Sequence, residues 1–120
     1  MDKDTINHII KVLRRGTITW KGRSACINKN RKRKKIGVFK NGKPKYKYLY
    51  YCDVCSREYS DTSFIEVDHI VEIGSFTGNF HDYVLKMYCS QDNLQAICVS
   101  CHKAKSSKFN ASIRYSRKVE

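Results

Sequence analysis

Asp92–Lys105, DNLQAICVSCHKAK, is the stretch from which the rest of the chain can be placed. It reads as one short helix bearing metal ligands. Cys98 and Cys101 stand three residues apart, the spacing at which two thiolates grip one zinc ion, and His102 follows as a ligand type for a second ion. Neighbouring residues on a helix point about 100° apart around its axis. A helix that turns Cys101 toward a buried zinc therefore turns His102 toward another side, where a working ion can sit.

A second such pair, Cys52-x-x-Cys55, precedes Cys98 by a gap of 42 residues. A gap that long suits a zinc that ties the two ends of a folded unit together. A closed structural site uses four protein ligands and contributes folding energy on the order of 10 kcal/mol. A chain of 120 residues makes one small domain without a large apolar core, so such a staple matters here. Six cysteines could equally be disulfides, and the compartment decides. The segment MDKDTINHIIKVLRRG has no basic region leading into an apolar run, and no apolar stretch is long enough for a bilayer. The expected location is therefore cytoplasmic and reducing, where paired CxxC units read as zinc. Cys26 and Cys89 fall outside the pairs and read as buried free thiols.

Net charge is +13, unevenly spread. Residues 1–50 hold 16 Lys/Arg against 2 acids, residues 51–105 hold 4 against 8, and residues 106–120 hold 4 against 1. Basic flanks around an acidic centre suit flanks that hold a polyanion and a centre that holds cations. Nucleic acid is the expected partner, and a solvated charge run kept for solubility is the bland alternative. The densest run is Arg31, Lys32, Arg33, Lys34 and Lys35. Within residues 22–35 it lacks apolar periodicity, and a helix lying on phosphates and a flexible arm both remain open.

Apolar residues at Ile6, Ile9, Ile10 and Leu13 predict a helix over 4–15, with Asp2 or Asp4 as N-cap and Gly16 as stop. Thr17–Trp20 looks extended. Ile36–Phe39 and Tyr46–Tyr51 predict the strands of a hairpin around Asn41-Gly42 and Pro44, with Tyr46, Tyr48, Tyr50 and Tyr51 expected to pack. Residues 64–73 predict a further strand, 74–79 a loop, and 80–88 a short helix. His8 and His81 read as surface helical residues, and Glu72 matters only if its strand turns toward an ion.

Cys52, Cys55, Val67-Asp68-His69-Ile70, Asn93-Leu94-Gln95-Ala96-Ile97-Cys98 and Cys101-His102-x-x-Lys105-Ser106 occur in an order that resembles the HNH endonuclease family, in its four-cysteine zinc form. The resemblance covers roughly residues 50–108. The three name-giving residues correspond to His69, Asn93 and His102. Many members carry Pro two residues after the DHI triplet, where this chain has Glu72. The fold implied is α+β: a small ββα-metal core stapled by a four-cysteine zinc site, with a basic N-terminal helix and hairpin as an extension. The organisation expected is a single domain over 1–120, in which 1–50 is the DNA-binding extension, 51–108 the nuclease core and 109–120 a basic tail.

That resemblance implies a metal-dependent endonuclease that nicks or cuts duplex DNA and leaves 5′-phosphate and 3′-hydroxyl ends. His69 is then the general base, since neutral imidazole is the natural proton acceptor near pH 7. Asp68 and His102 hold a catalytic divalent ion, Mg²⁺ or Mn²⁺, and Cys52, Cys55, Cys98 and Cys101 hold the structural Zn²⁺. Asn93 acts as a clamp whose amide bonds across a loop to hold the segment of His69. Arg31, Lys32, Arg33, Lys34 and Lys35 contact DNA phosphates, and Lys105 joins them from the helical face of His102. Small free-standing members are often phage proteins, which puts the chain in the cytoplasm of a bacterial host. In a regular strand Asp68 and His69 point to opposite faces, so the strand is expected to end, bend or bulge there. A non-catalytic, zinc-stabilised nucleic-acid-binding module is the alternative; it uses the cysteines and lysines but has no need of Asp68, His69 and His102.

Overall fold

The computed structural model describes the backbone of residues 1–119 and the side chains of residues 1–111. Helices and strands mix in one small α+β unit. Helix α1 (Lys3–Gly16) starts where the Asp2 carboxylate accepts the Thr5 N–H at 2.8 Å, satisfying one of the free amides of the first turn. Its stop is tight for a physical reason: a Cβ on Gly16 would meet the Tyr88 hydroxyl at 2.4 Å. Thr17–Trp20 is a turn rather than an extended segment, and it leads into α2 (Lys21–Lys29), which buries Cys26 and Ile27.

Of residues 22–35, those up to Lys29 are helical in α2, but the densest basic run, Arg31–Lys35, is neither a helix nor a loose arm. Arg31 opens β1 (Arg31–Val38), which pairs antiparallel with β2 (Pro44–Tyr51). The first strand of the hairpin thus starts five residues before the predicted Ile36, because Lys and Arg at exposed positions extend a ladder without needing a buried face. A register shift between Lys35 and Gly37 marks a bulge, and Gly42 closes the turn at φ 84°. The short β3 (Glu58–Tyr59) adds to β2 at Tyr50 and Tyr51.

The second sheet has two strands. β4 (Ile65–His69) pairs antiparallel with β5 (Leu94–Cys98), with no bulge, from Ile65 opposite Cys98 to His69 opposite Leu94. β4 ends at His69, four residues short of the span predicted. Asp92–Lys105 is not one helix either: β-branched and apolar residues from Leu94 to Cys98 pair as β5, and α4 (Val99–Val119) begins only after it. Between β4 and β5 lies α3 (Phe80–Met87), capped by the Asn79 side chain on the Asp82 N–H at 3.0 Å.

Cys26, Ile27, Cys52, Ile65, Leu94, Ala96, Ile97 and Cys98 form the buried core between α2 and the β4–β5 sheet, with Trp20, Tyr50 and Tyr59 packed on it. The N-terminal region is therefore tied into the nuclease-like part of the chain rather than strung beside it. α1 is held to α3 and the segment after it: Arg14 donates to the Tyr83 hydroxyl through Nε and Nη2 at 3.2 and 3.1 Å, and the Tyr88 hydroxyl donates to the Leu13 carbonyl at 2.6 Å. Of the basic tail expected at 109–120, the backbone through Val119 continues α4; side chains from 112 onward and residue 120 lie outside the described residues. No helix among the described residues is long and apolar enough to cross a membrane.

Candidate metal and catalytic site

The four cysteines of the two CxxC pairs come together. Cys52 and Cys55 lie on a knuckle after β2, Cys98 ends β5, and Cys101 sits in the first turn of α4, so the second pair bridges a strand and a helix. Their sulfurs all lie within 4.8 Å of one another. A tetrahedral zinc with bonds of about 2.3 Å needs sulfur–sulfur edges of about 3.8 Å; Cys55 Sγ and Cys98 Sγ are 3.8 Å apart. The donor set and its size fit zinc.

The knuckle is held in shape by its own backbone. The Val54 and Cys55 N–H groups both donate to Cys52 Sγ at 3.4 Å, and Ser56 takes a left-handed φ of 62° to close the turn. Asp53 then locks the knuckle to β5, accepting the Ala96 N–H on Oδ2 at 2.9 Å while its own N–H donates to the Ala96 carbonyl at 2.8 Å. Burial pushes the Cys98 thiol up, but donation from the Cys101 N–H, the Tyr59 hydroxyl and neighbouring thiols outweighs it and holds Cys98 at about 6. Cys101, which donates to Cys98, is pushed up to about 12. Cys52 is also held below the usual thiol range, its burial outweighed by hydrogen bonds from neighbouring backbone and thiol groups, so negative charge gathers in a crowded set that suits a cation. Cys26, buried, and Cys89, partly buried, are free thiols outside the cluster.

On the far side of β4 is an open cleft of about 760 Å³, lined by Asp68 and His69 from β4, Glu72 and Gly74 from the following loop, Met87 from α3 and His102 from α4. Asp68 is 6% exposed, a burial that a carboxylate tolerates only with partners. Its Oδ2 accepts from Gln95 Nε2 at 2.9 Å and from the Lys105 ammonium at 2.5 Å, while Oδ1 stands 3.5 Å from His102 Nε2. Lys105 also donates to the carbonyls of His69 and Ile70 and lies 3.4 Å from Glu72. Its charge is turned inward onto β4, not outward from α4.

His69, the last residue of β4, faces α3, where its Nε2 bonds to the Met87 carbonyl at 2.8 Å. A carbonyl only accepts, so Nε2 carries the proton and Nδ1 keeps the lone pair in the neutral ring. The strand ending at His69 lets both side chains line one cleft even though they leave β4 on opposite faces. Past that end, Asn93 fixes the chain: its Oδ1 accepts the Val71 N–H at 2.8 Å, its Nδ2 donates to the Val71 carbonyl at 3.3 Å, and its own carbonyl accepts the Ile70 N–H at 2.8 Å.

Two residues at this cleft are not found by the sequence reading. Glu66 Oε2 bonds to His102 Nδ1. A signal for it exists: alternation along a strand puts Glu66 and Asp68 on one side, toward the same helix. Arg14 lines the cleft from α1, and no local sequence feature announces it, because only the distant Tyr83 contact brings it there. His8 and His81 are exposed helical residues.

Residues 52–108 match the family model described as HNH endonuclease. No curated protein and no solved structure matches the chain. Domains of this family act on nucleic acid as nucleases that use divalent metal, and the four-cysteine cluster is compatible with a structural zinc beside that chemistry. Residues 52–108 of this chain are an HNH endonuclease domain.

Proposed function

We propose that the protein is a metal-dependent endonuclease that hydrolyses phosphodiester bonds of duplex DNA, nicking or cutting it, with His69 as general base and a divalent ion held by Asp68 and His102. The observation that carries this reading is the convergence of Asp68, His69 and His102 on one open cleft. A module that only binds has no use for a base beside an ion site.

Each side chain has a task that its contacts support. Neutral His69, its Nε2 proton held by Met87, takes a proton from the attacking water at Nδ1. Asp68 divides its oxygens, Oδ2 being fixed by Gln95 and Lys105 so that Oδ1 is aimed at His102 Nε2. His102 donates its Nδ1–H to Glu66, which leaves the Nε2 lone pair facing Asp68. Oδ1 and Nε2 stand 3.5 Å apart, close enough for both to hold one divalent ion. Asp68 and His102 would hold a divalent ion, Mg²⁺ or Mn²⁺, whose chemistry there would be to neutralise charge on the leaving oxygen. Asn93 holds the chain after His69, and Arg14 offers a guanidinium to the phosphate from across the cleft. Lys105, read from sequence as a phosphate contact, serves better as the counter-charge of Asp68. Arg31, Lys32, Arg33, Lys34 and Lys35 remain the proposed DNA-binding run, and Cys52, Cys55, Cys98 and Cys101 the ligands of a structural zinc. A phage origin is the setting we infer from the family resemblance.

A supercoiled-plasmid assay tests the reading. Relaxed or linear product should appear with Mg²⁺ or Mn²⁺, be absent without added ion, and carry 5′-phosphate ends. Tight, salt-sensitive binding to plasmid with no cleavage in any of Mg²⁺, Mn²⁺, Ca²⁺, Co²⁺ or Ni²⁺ points instead to a binding module.

A further inference from the structure

Two strands alone in water are marginally stable. Yet beyond the rung at Tyr50 and Tyr51 where β3 joins, β1 and β2 project as a two-stranded ribbon with Arg31–Ile36 and Pro44–Tyr48 exposed. Residues opposite each other in an antiparallel pair share a face. Arg31, Arg33 and Lys35 therefore stand beside Tyr50, Tyr48 and Tyr46 on one face, and Lys32 and Lys34 stand beside Leu49 and Lys47 on the other. Both guanidiniums of the strand fall on the tyrosine face. There they lie over rings: Arg31 Cζ is 4.2 Å from the Tyr48 centroid and Arg33 Cζ 4.2 Å from that of Tyr46. No acid lies on this face; Glu58, opposite Tyr51, belongs to the other, where it stands 4.0 Å from Lys34.

Lys35 shares this face and Lys32 lies over Tyr51 on the other, yet a run kept for solubility has no reason to lay both of its guanidiniums over exposed tyrosine rings on one face. Stacking pre-organises the planar fork, which matches the paired acceptors O6 and N7 of guanine, whereas an ammonium is a point charge suited to phosphate. Width agrees as well. A two-stranded ribbon with its side chains is about 10 Å across, which the major groove of about 12 Å admits and the minor groove of about 6 Å does not without deformation.

We propose, on the reading that duplex DNA is the substrate, that the β1–β2 ribbon enters the major groove and reads guanine through Arg31 and Arg33, while Lys32, Lys34 and Lys47 on its back hold the flanking phosphates. The ribbon thus gives the enzyme a preference for where it cuts, which phosphate contacts alone cannot supply.

The test is selection of bound duplexes from a pool with a randomised centre, without added divalent ion, followed by binding to a selected duplex, a scrambled one, and the selected one with 7-deazaguanine in place of its guanines. The parent should enrich guanine-containing sites and bind the substituted duplex about 5- to 100-fold more weakly, since that base differs only in lacking the major-groove N7. Arg31→Lys/Arg33→Lys, which keeps the charge, should bind all three duplexes alike with the parent's salt dependence, zinc content and circular dichroism. Indifference of the parent to sequence and to 7-deazaguanine overturns the ribbon's role but leaves duplex DNA as substrate. Displacement by netropsin, with no effect of 7-deazaguanine, overturns it in favour of the minor groove. Failure of the parent to bind any duplex removes both readings.

Discussion

Glu66 accepts the hydrogen bond from the ring N–H of His102, and that single contact would make the proposed ion site directional. Without it the imidazole is free to turn its protonated nitrogen toward Asp68, where it cannot ligate. Partners of this kind are worth about 10- to 100-fold in metal affinity or activity. Glu66→Ala should therefore raise the Mg²⁺ concentration giving half-maximal cleavage about 10- to 100-fold, with the rate at saturating ion close to the parent's; Glu66→Gln, whose amide oxygen can still accept the hydrogen bond from Nδ1–H, should recover much of the affinity. An unchanged Mg²⁺ titration would show that Glu66 does not orient His102. Asn93 is a different case, bonding backbone rather than ligand. Asn93→Ala leaves the Val71 N–H and carbonyl without their partner and should cost about 1–2 kcal/mol in urea unfolding, with a smaller loss of cleavage than His69→Ala. At this scale the sequence is legible for the four cysteines, whose paired spacing announces the cluster they form, and for Asp68, His69 and His102 as far as their meeting at one cleft. It is not legible for Glu66 and Arg14, whose importance comes from what they touch across 36 and 69 positions of chain.

Among the elements, the ribbon departs furthest from the expectation. Tyr46 and Tyr48, expected as core aromatics, are 45% and 47% exposed and carry guanidiniums on their rings. Periodicity misleads here because a strand exposed on both faces has no apolar alternation to show, so the pattern marks β1 only from Ile36. The same cause shifts Asp92–Lys105: LQAIC is short and apolar, and a short apolar run does not tell strand from helix. The α1 and α3 helices, with caps at Asp2 and Asn79 and clear amphipathic spacing, are readable nearly to the residue. Charge on the ribbon yields its own prediction. Reversing Arg31, Lys32, Arg33, Lys34 and Lys35 to Glu should weaken binding alike on duplexes that lack a selected guanine site, and each phosphate that is no longer neutralised should take about 0.9 from the slope of log K against log salt. Retention of the parent's slope in a folded variant would make the run a solubility device.

The whole molecule stands on one junction. Cys98 closes β5, Cys101 opens α4 with His102 beside it, and the knuckle of Cys52 and Cys55 docks on Ala96 through Asp53. One zinc held there would fix the angle between the sheet that carries Asp68 and His69 and the helix that carries His102. Because structural zinc contributes on the order of 10 kcal/mol, metal analysis should find about one tightly held zinc per chain, and a strong chelator should unfold the protein. A folded, zinc-free protein would contradict that. The staple is evident from spacing alone, whereas the docking of α1 against Tyr83 and Tyr88 is not, since it depends on two tyrosines that could as well have packed elsewhere. The central claim is that this frame presents His69 as a base and nothing more, and it is tested most directly by the rate of supercoiled-plasmid cleavage by His69→Ala beside the parent, at saturating Mg²⁺ and equal zinc content. The account predicts a loss of about 10²- to 10⁴-fold with zinc and DNA binding intact and no recovery on raising Mg²⁺; cleavage by His69→Ala at the parent's rate would contradict it.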